Sequence, residues 1–156
     1  MNVKELSDRF KLKANQDTAI HTYVFDDLAS INVDRNKGYP LILMKVPSSV
    51  ATPFQTNDNM GQWENYTVTF YAFMRWTKED KKTKPLEVAY AEIEAIGDNY
   101  LRNVLVAGEA TSTKDVEYGL ITDKQVSKAR GHHLHVVQLI GCQYTFTLRV
   151  FNATCS

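Results

Sequence analysis

Apolar residues recur along this chain with two periods, one near 3.6 and one of 2, and the change between them marks out its elements. From Pro85 to Ala107 the sequence reads PLEVAYAEIEAIGDNYLRNVLVA. Leu86, Ala89, Tyr90, Ile93, Ile96, Tyr100, Leu101, Val104 and Leu105 step by threes and fours, which places them on one broad helical stripe. Glu87, Glu92, Glu94, Asp98, Asn99 and Arg102 fall mostly on the other side. Pro85 suits the first turn, where its missing N–H would have had no partner. Glu87 complements the helix dipole there, and Gly108 is a good stop. At about 1.5 Å per residue the rod is roughly 34 Å long. A stripe this wide needs a sheet to lie on.

The period of 2 is clearest in Trp63–Thr77, WENYTVTFYAFMRWT. Tyr66, Val68, Phe70, Ala72 and Met74 share one face; Thr67, Thr69, Tyr71, Phe73 and Arg75 share the other. Large residues on both faces predict a central strand, with one face under the long helix. Cys142–Phe151 alternates too, Tyr144, Phe146, Leu148 and Val150 against Thr145, Thr147 and Arg149, as a half-buried strand would. Tyr39–Val46 reads as a buried strand with Pro40 at its start and Pro47 ending it. His21–Leu28 mixes β-branched and aromatic residues and also favours a strand. Tyr118–Thr122, continuing toward Val126, and His133–Leu139 are further strands, with Ser127–Gly131 as a turn and Gly141 as a bend or bulge.

Val3, Leu6 and Phe10 fall on one face of a short helix over Asn2–Ala14, with Lys4, Asp8 and Lys11 elsewhere. Such a helix either caps the core edge or docks on a neighbouring subunit, and the sequence leaves both open. Ser48–Gln62 reads as a long polar connection holding Phe54 and Met60, which either fold back on the core or project as an arm. Lys78–Lys84, KEDKKTK, reads as a solvated link to the long helix, with a rim contact between subunits as the other reading. Glu109–Glu117 reads as a polar loop. The expected fold class is therefore α+β: a mainly antiparallel β-sheet packed by one long helix, with a short N-terminal helix, in a single domain over residues 1–156.

Composition narrows the function classes. Lys plus Arg and Asp plus Glu number 18 each, so nothing general attracts nucleic acid or anionic membrane. Neutrality also leaves little self-repulsion between copies. No apolar run approaches the ~20 residues of a bilayer span, and MNVKELSDRFKLKAN lacks the apolar segment of a secretory signal. Cys142 and Cys155 make neither a metal spacing nor a disulfide framework, so reduced thiols in a cytoplasm-made protein are expected.

Candidate chemistry is sparse. His132, His133 and His135 form the one metal-like cluster, and no nearby cysteine or carboxylate completes it; polar-face histidines are the plainer reading. Glu92 and Glu94, two apart on a helix, do not face each other. Cys142 lies in no nucleophile motif, and there is no phosphate-cradling glycine loop. Asn65-Tyr66-Thr67 and Asn152-Ala153-Thr154 match the glycosylation pattern but carry no weight without a secretory signal. Neither a catalytic residue nor a cofactor is expected.

The order of features resembles the tail-terminator and head–tail joining (tail-completion) proteins of tailed bacteriophages. The resemblance rests on the N-terminal helix, the strand carrying Tyr39-Pro40-Leu41-Ile42 and closing at Pro47, the strand Tyr66–Trp76 and the helix Pro85–Ala107. It continues into a last strand entering through Leu139-Ile140-Gly141-Cys142 and ending in Thr147-Leu148-Arg149-Val150. It is a likeness of pattern and length over nearly the whole chain. What it implies is a virion structural protein, made in the host cytoplasm, forming a homo-oligomeric ring at the neck or tail. Its partners would be copies of itself and portal, connector or tail-tube proteins, with DNA passing through the lumen and no membrane involved. The balanced charge departs from a strongly charged lumen. Candidate subunit contacts are Phe54, Met60, Lys78, Lys81, Lys82, Val3, Leu6 and Phe10. The alternative is a small non-enzymatic binding or adaptor domain acting as a monomer or dimer.

Overall fold

The computed structural model describes residues 3–25, 38–51, 61–105, 118–120, 126–134 and 138–153. Along them the chain runs α1 (Val3–Gln16), β1 (Thr22–Phe25), β2 (Leu41–Met44), β3 (Ser48–Ala51) and β4 (Gly61–Arg75). It continues through α2 (Lys78–Thr83), α3 (Leu86–Leu105), β5 (Tyr118–Leu120), β6 (Ser127–Leu134) and β7 (Leu139–Ala153). The spine is a two-stranded antiparallel ribbon of β4 and β7, paired without a break from Gly61 opposite Ala153 to Arg75 opposite Leu139. β2 and β3 lie one after the other along the outer edge of β4, and β5 and β6 along the outer edge of β7. β1 closes one side as the parallel neighbour of β2. The sheet is thus mainly antiparallel, and the fold is α+β with the long helix α3 packed on it.

Met44 pairs with Phe70 and Ser48 with Thr67, so the edge strand gains one residue over Lys45–Pro47 relative to β4. Pro47 sits in that step, where a missing donor interrupts no ladder. A second irregularity falls between Ala129 and His132 of β6, where Gly131 adopts a positive φ of 84°. That conformation costs glycine nothing and would strain other residues.

Helices α1 and α3 lie on one face of the sheet. Leu6, Phe10 and Ala14 of α1 and Ile93, Tyr100 and Val104 of α3 join Ile42, Val68, Phe70, Ala72, Tyr144, Phe146 and Leu148 in the main core. The buried positions of α3 (Ala89, Ile93, Gly97, Tyr100 and Val104) repeat every three or four residues, as an amphipathic helix requires. Aromatic rings fill the centre. Phe70 stacks on Tyr144 at 4.7 Å and meets Tyr100 edge-on at 5.1 Å. Tyr100 also donates its hydroxyl to the Phe10 carbonyl at 2.8 Å, tying α1 to α3.

The other face of the ribbon divides in two. Leu41, Leu43, Tyr71, Phe73 and Leu139 form a second buried apolar cluster toward one end. Further along, Thr67 pairs with Thr147 and Thr69 with Thr145, a two-by-two grid of threonines. The Thr69 and Thr145 hydroxyls are 3.1 Å apart.

Several expectations change. The Ser48–Gln62 connection is not loop throughout: Ser48–Ala51 is β3, and Gly61 already opens β4. Lys78–Lys84 is mostly the short helix α2 rather than an irregular link. Ser127–Gly131 is not a turn but the first part of β6, where an edge position tolerates its polar residues. Gly141 makes no bulge. It stays in register opposite Phe73, where a β-carbon would press on the Ala72 carbonyl oxygen and lie 2.5 Å from the Phe73 ring. The long helix spans Leu86–Leu105, and Leu86 stays partly exposed rather than entering the core. Among the described residues no helix is long and apolar enough to cross a membrane.

Candidate functional site

Among the described residues a dense group of ionisable side chains joins α3 to the edge strand β6. Glu94 and Asp98 stand one turn apart on α3, and Lys128 and Arg130 stand two apart on β6, so each pair projects in one direction. Lys128 Nζ is 2.5 Å from Glu94 Oε1 and 3.1 Å from Asp98 Oδ1. Arg130 holds Glu94 through Nε at 3.0 and 3.1 Å and through Nη2 at 2.8 Å. Tyr144 completes the group from beneath, donating toward Asp98 Oδ1 at 2.8 Å and the Glu94 carbonyl at 3.2 Å.

The electrostatics follow from that geometry. Hydrogen bonds from Arg130 and then Lys128 pull the Glu94 carboxyl down to about 2. Burial, reinforced by the Asp98 carboxylate, pushes the Tyr144 phenol far up. Burial likewise raises the thiol of Cys142, which leaves it protonated and a poor nucleophile. A general acid or base needs a pKa near working pH. Glu94 and Tyr144 are pushed away from it in opposite directions. This cluster is a clamp that pins the edge strand to the helix.

A second site lies where β2 begins and β4 ends. An open cleft of about 460 Å³ is lined by Tyr39, Pro40, Met74, Arg75, Asp80 and Lys84, with Gly38 at its rim. The Tyr39–Pro40 peptide there is cis. The Arg75 guanidinium stacks over the Tyr39 ring at 5.1 Å, and Lys84 reaches Glu92 at 2.7 Å. Helix α2 forms one wall. Thr77 is its N-cap, with a reciprocal box in which Thr77 N–H donates to Asp80 Oδ2 at 2.9 Å and Asp80 N–H to Thr77 Oγ1 at 3.4 Å. Those Thr77 hydrogen bonds hold the Asp80 carboxyl below its ordinary value. The indole of Trp76 donates to the Lys84 carbonyl at 3.1 Å, and Lys81 lies over the same ring at 4.8 Å.

The candidate contact residues separate. Leu6 and Phe10 are fully buried in this chain's own core, so the expectation that they meet a neighbouring subunit is corrected; Val3 is half-buried at the core edge. An apolar face on a helix beside a sheet satisfied itself at home. Lys78, Lys81 and Lys82 are exposed on α2, beside the cleft. Phe54 and Met60 lie outside the described residues, as does His135. His132 and His133 have backbone positions in β6 opposite Gly141 and Ile140. Among the described residues no three His, Cys, Asp or Glu side chains converge as metal ligands.

Sequence reasoning missed the clamp and the cleft. Glu94 and Asp98 at i and i+4 beside Lys128 and Arg130 at i and i+2 were signals available for the first. The cleft has no local signal, because Tyr39 and Arg75 meet only through the pairing of β2 with β4. The chain matches no protein-family model and no curated protein.

Proposed function

We propose that the chain is a structural subunit of a tailed-phage virion, assembling with copies of itself into a ring at the neck or tail. In that role it contacts portal, connector or tail-tube proteins, and DNA passes through the ring. The reading begins from the resemblance in element order and length. The observation that supports it best is the unequal dressing of the sheet: α1 and α3 both lie on one face, while the Thr67, Thr69, Thr145 and Thr147 grid is left partly open on the other. Among the described residues neither α1 nor α3 covers that threonine patch, and a partly open polar patch on a sheet suits a wall element in a larger assembly.

Size-exclusion chromatography with light scattering and negative-stain microscopy test the proposal. A closed ring of one defined mass is the expected result. A chain that stays monomeric at the highest attainable concentration would overturn the ring and favour the small binding module instead.

A further inference from the structure

We infer that Ser127–Gly131 is a hinged flap that closes part of the outer edge of β7 and is latched onto α3 by Lys128 and Arg130. Strand β6 pairs with β7 in two parts. His132, His133 and Leu134 lie opposite Gly141, Ile140 and Leu139, close in sequence to the start of β7. Ser127, Lys128 and Ala129 lie opposite Thr145, Tyr144 and Gln143, and a register shift between Ala129 and His132 separates the two parts. The first part can therefore peel away while the second stays paired.

Packing does little to hold the first part. Ser127, Ala129, Arg130 and Gly131 are exposed, Lys128 is half-buried, and Val126 just ahead of them is a half-buried residue against the main core. Beyond the backbone ladder, the restraint is the clamp: Lys128 on Glu94 and Asp98, and Arg130 on Glu94. These four side chains are 21–62% exposed, so dissolved salt screens them. The latch is electrostatic and reversible.

Gly131 supplies the hinge. Its φ is 84°, and nothing lies within 4 Å of where its β-carbon would sit. A glycine in open space can change φ and ψ without a clash. Peeling about it strips β7 of its outer neighbour at Gln143–Thr145 and leaves Glu94 and Asp98 without their cations. Unpaired strand edges invite pairing with other chains, and sheets protect them with charged side chains and irregular register. The flap carries both protections.

Native-state hydrogen exchange and trypsin digestion of the full chain test this. Amides in the ladder between Ser127–Ala129 and Gln143–Thr145 should exchange faster than those between β4 and β7. Their exchange should rise little with urea, because peeling exposes little surface. Glu94→Gln, or salt raised from about 0.05 to about 0.5 M, should quicken it roughly three- to tenfold. Trypsin should cut after Lys128 and Arg130 faster in Glu94→Gln, while Lys128→Arg, which keeps the charge, stays near wild type. The salt series on wild type carries the test if Glu94→Gln fails to fold. Flap amides that follow urea as steeply as the β4–β7 ladder would mean that the segment leaves only with the whole fold. Exchange and cleavage unmoved by both salt and Glu94→Gln would show that backbone pairing holds it without a latch. Either result overturns the inference.

Discussion

The Tyr144 hydroxyl lies so close under Gly97 that a β-carbon on that glycine would sit 2.5 Å from the oxygen and 2.7–2.8 Å from two ring carbons. Tyr144 is fully buried and its ring is stacked on Phe70, so it has nowhere to retreat. The missing side chain at Gly97 is what lets the phenol reach Asp98 and the Glu94 carbonyl.

Gly97→Ala should therefore destabilise the protein, although alanine is the better helix former by up to about 1 kcal/mol. Overpacking of this kind costs about 1–3 kcal/mol, which outweighs the propensity gain. Urea unfolding measures it. A midpoint raised by the substitution would mean that the phenol moves aside freely.

The clamp predicts a pH dependence. The Glu94 carboxyl titrates at about 2 in the folded chain, below its ordinary 4.5. A depressed carboxylate contributes stability that is fully present above the unfolded value and fades as pH falls from 4.5 toward 2. With Glu94 24% and Lys128 21% exposed, solvent screens the pair, and a loss of roughly 1 kcal/mol is expected. Glu94→Gln should lower the melting temperature at pH 7 and flatten its fall over that window. Parallel melting curves for the two proteins between neutral and acid pH would refute the assignment.

Tyr100→Phe tests whether α1 belongs to the core. The change removes a buried hydrogen bond to the Phe10 carbonyl and keeps the ring. A cost of about 1 kcal/mol is expected, with hydrogen exchange quickening in α1 before α3. No change in exchange along Val3–Gln16 would mean that other contacts alone hold the helix.

How legible this fold was depended on the range of the interactions. The stripe on α3 and the alternation in β4 and β7 are local patterns, and Ile93, Tyr100, Phe70 and Tyr144 stand where those patterns put them. Ser127–Gly131 misled because a polar, glycine-ended segment resembles a turn, and only pairing with β7 makes it a strand. Gly141 misled in the opposite sense: glycine suggested a bend, whereas the close approach of Ala72 and Phe73 from β4 requires it. The Thr77–Asp80 spacing of a capping box was readable, but the lysines around it resembled a solvated link. Leu6 and Phe10 carry an apolar face that reads alike whether it meets a sheet or a neighbour.

That capping box supplies the last prediction. Thr77→Ala removes the hydroxyl that accepts from Asp80 N–H and donates to Asp80 Oδ2 at 3.0 Å. Cap loss costs about 1 kcal/mol, and because α2 buries nothing the cost should stay local. Global unfolding should scarcely shift, while exchange at the Lys81 and Lys84 amides, bonded to the Thr77 and Asp80 carbonyls, should quicken several-fold. Thr77→Ser keeps the oxygen and should behave as wild type. Unchanged exchange at both amides in Thr77→Ala would mean that contacts other than the cap hold the helix.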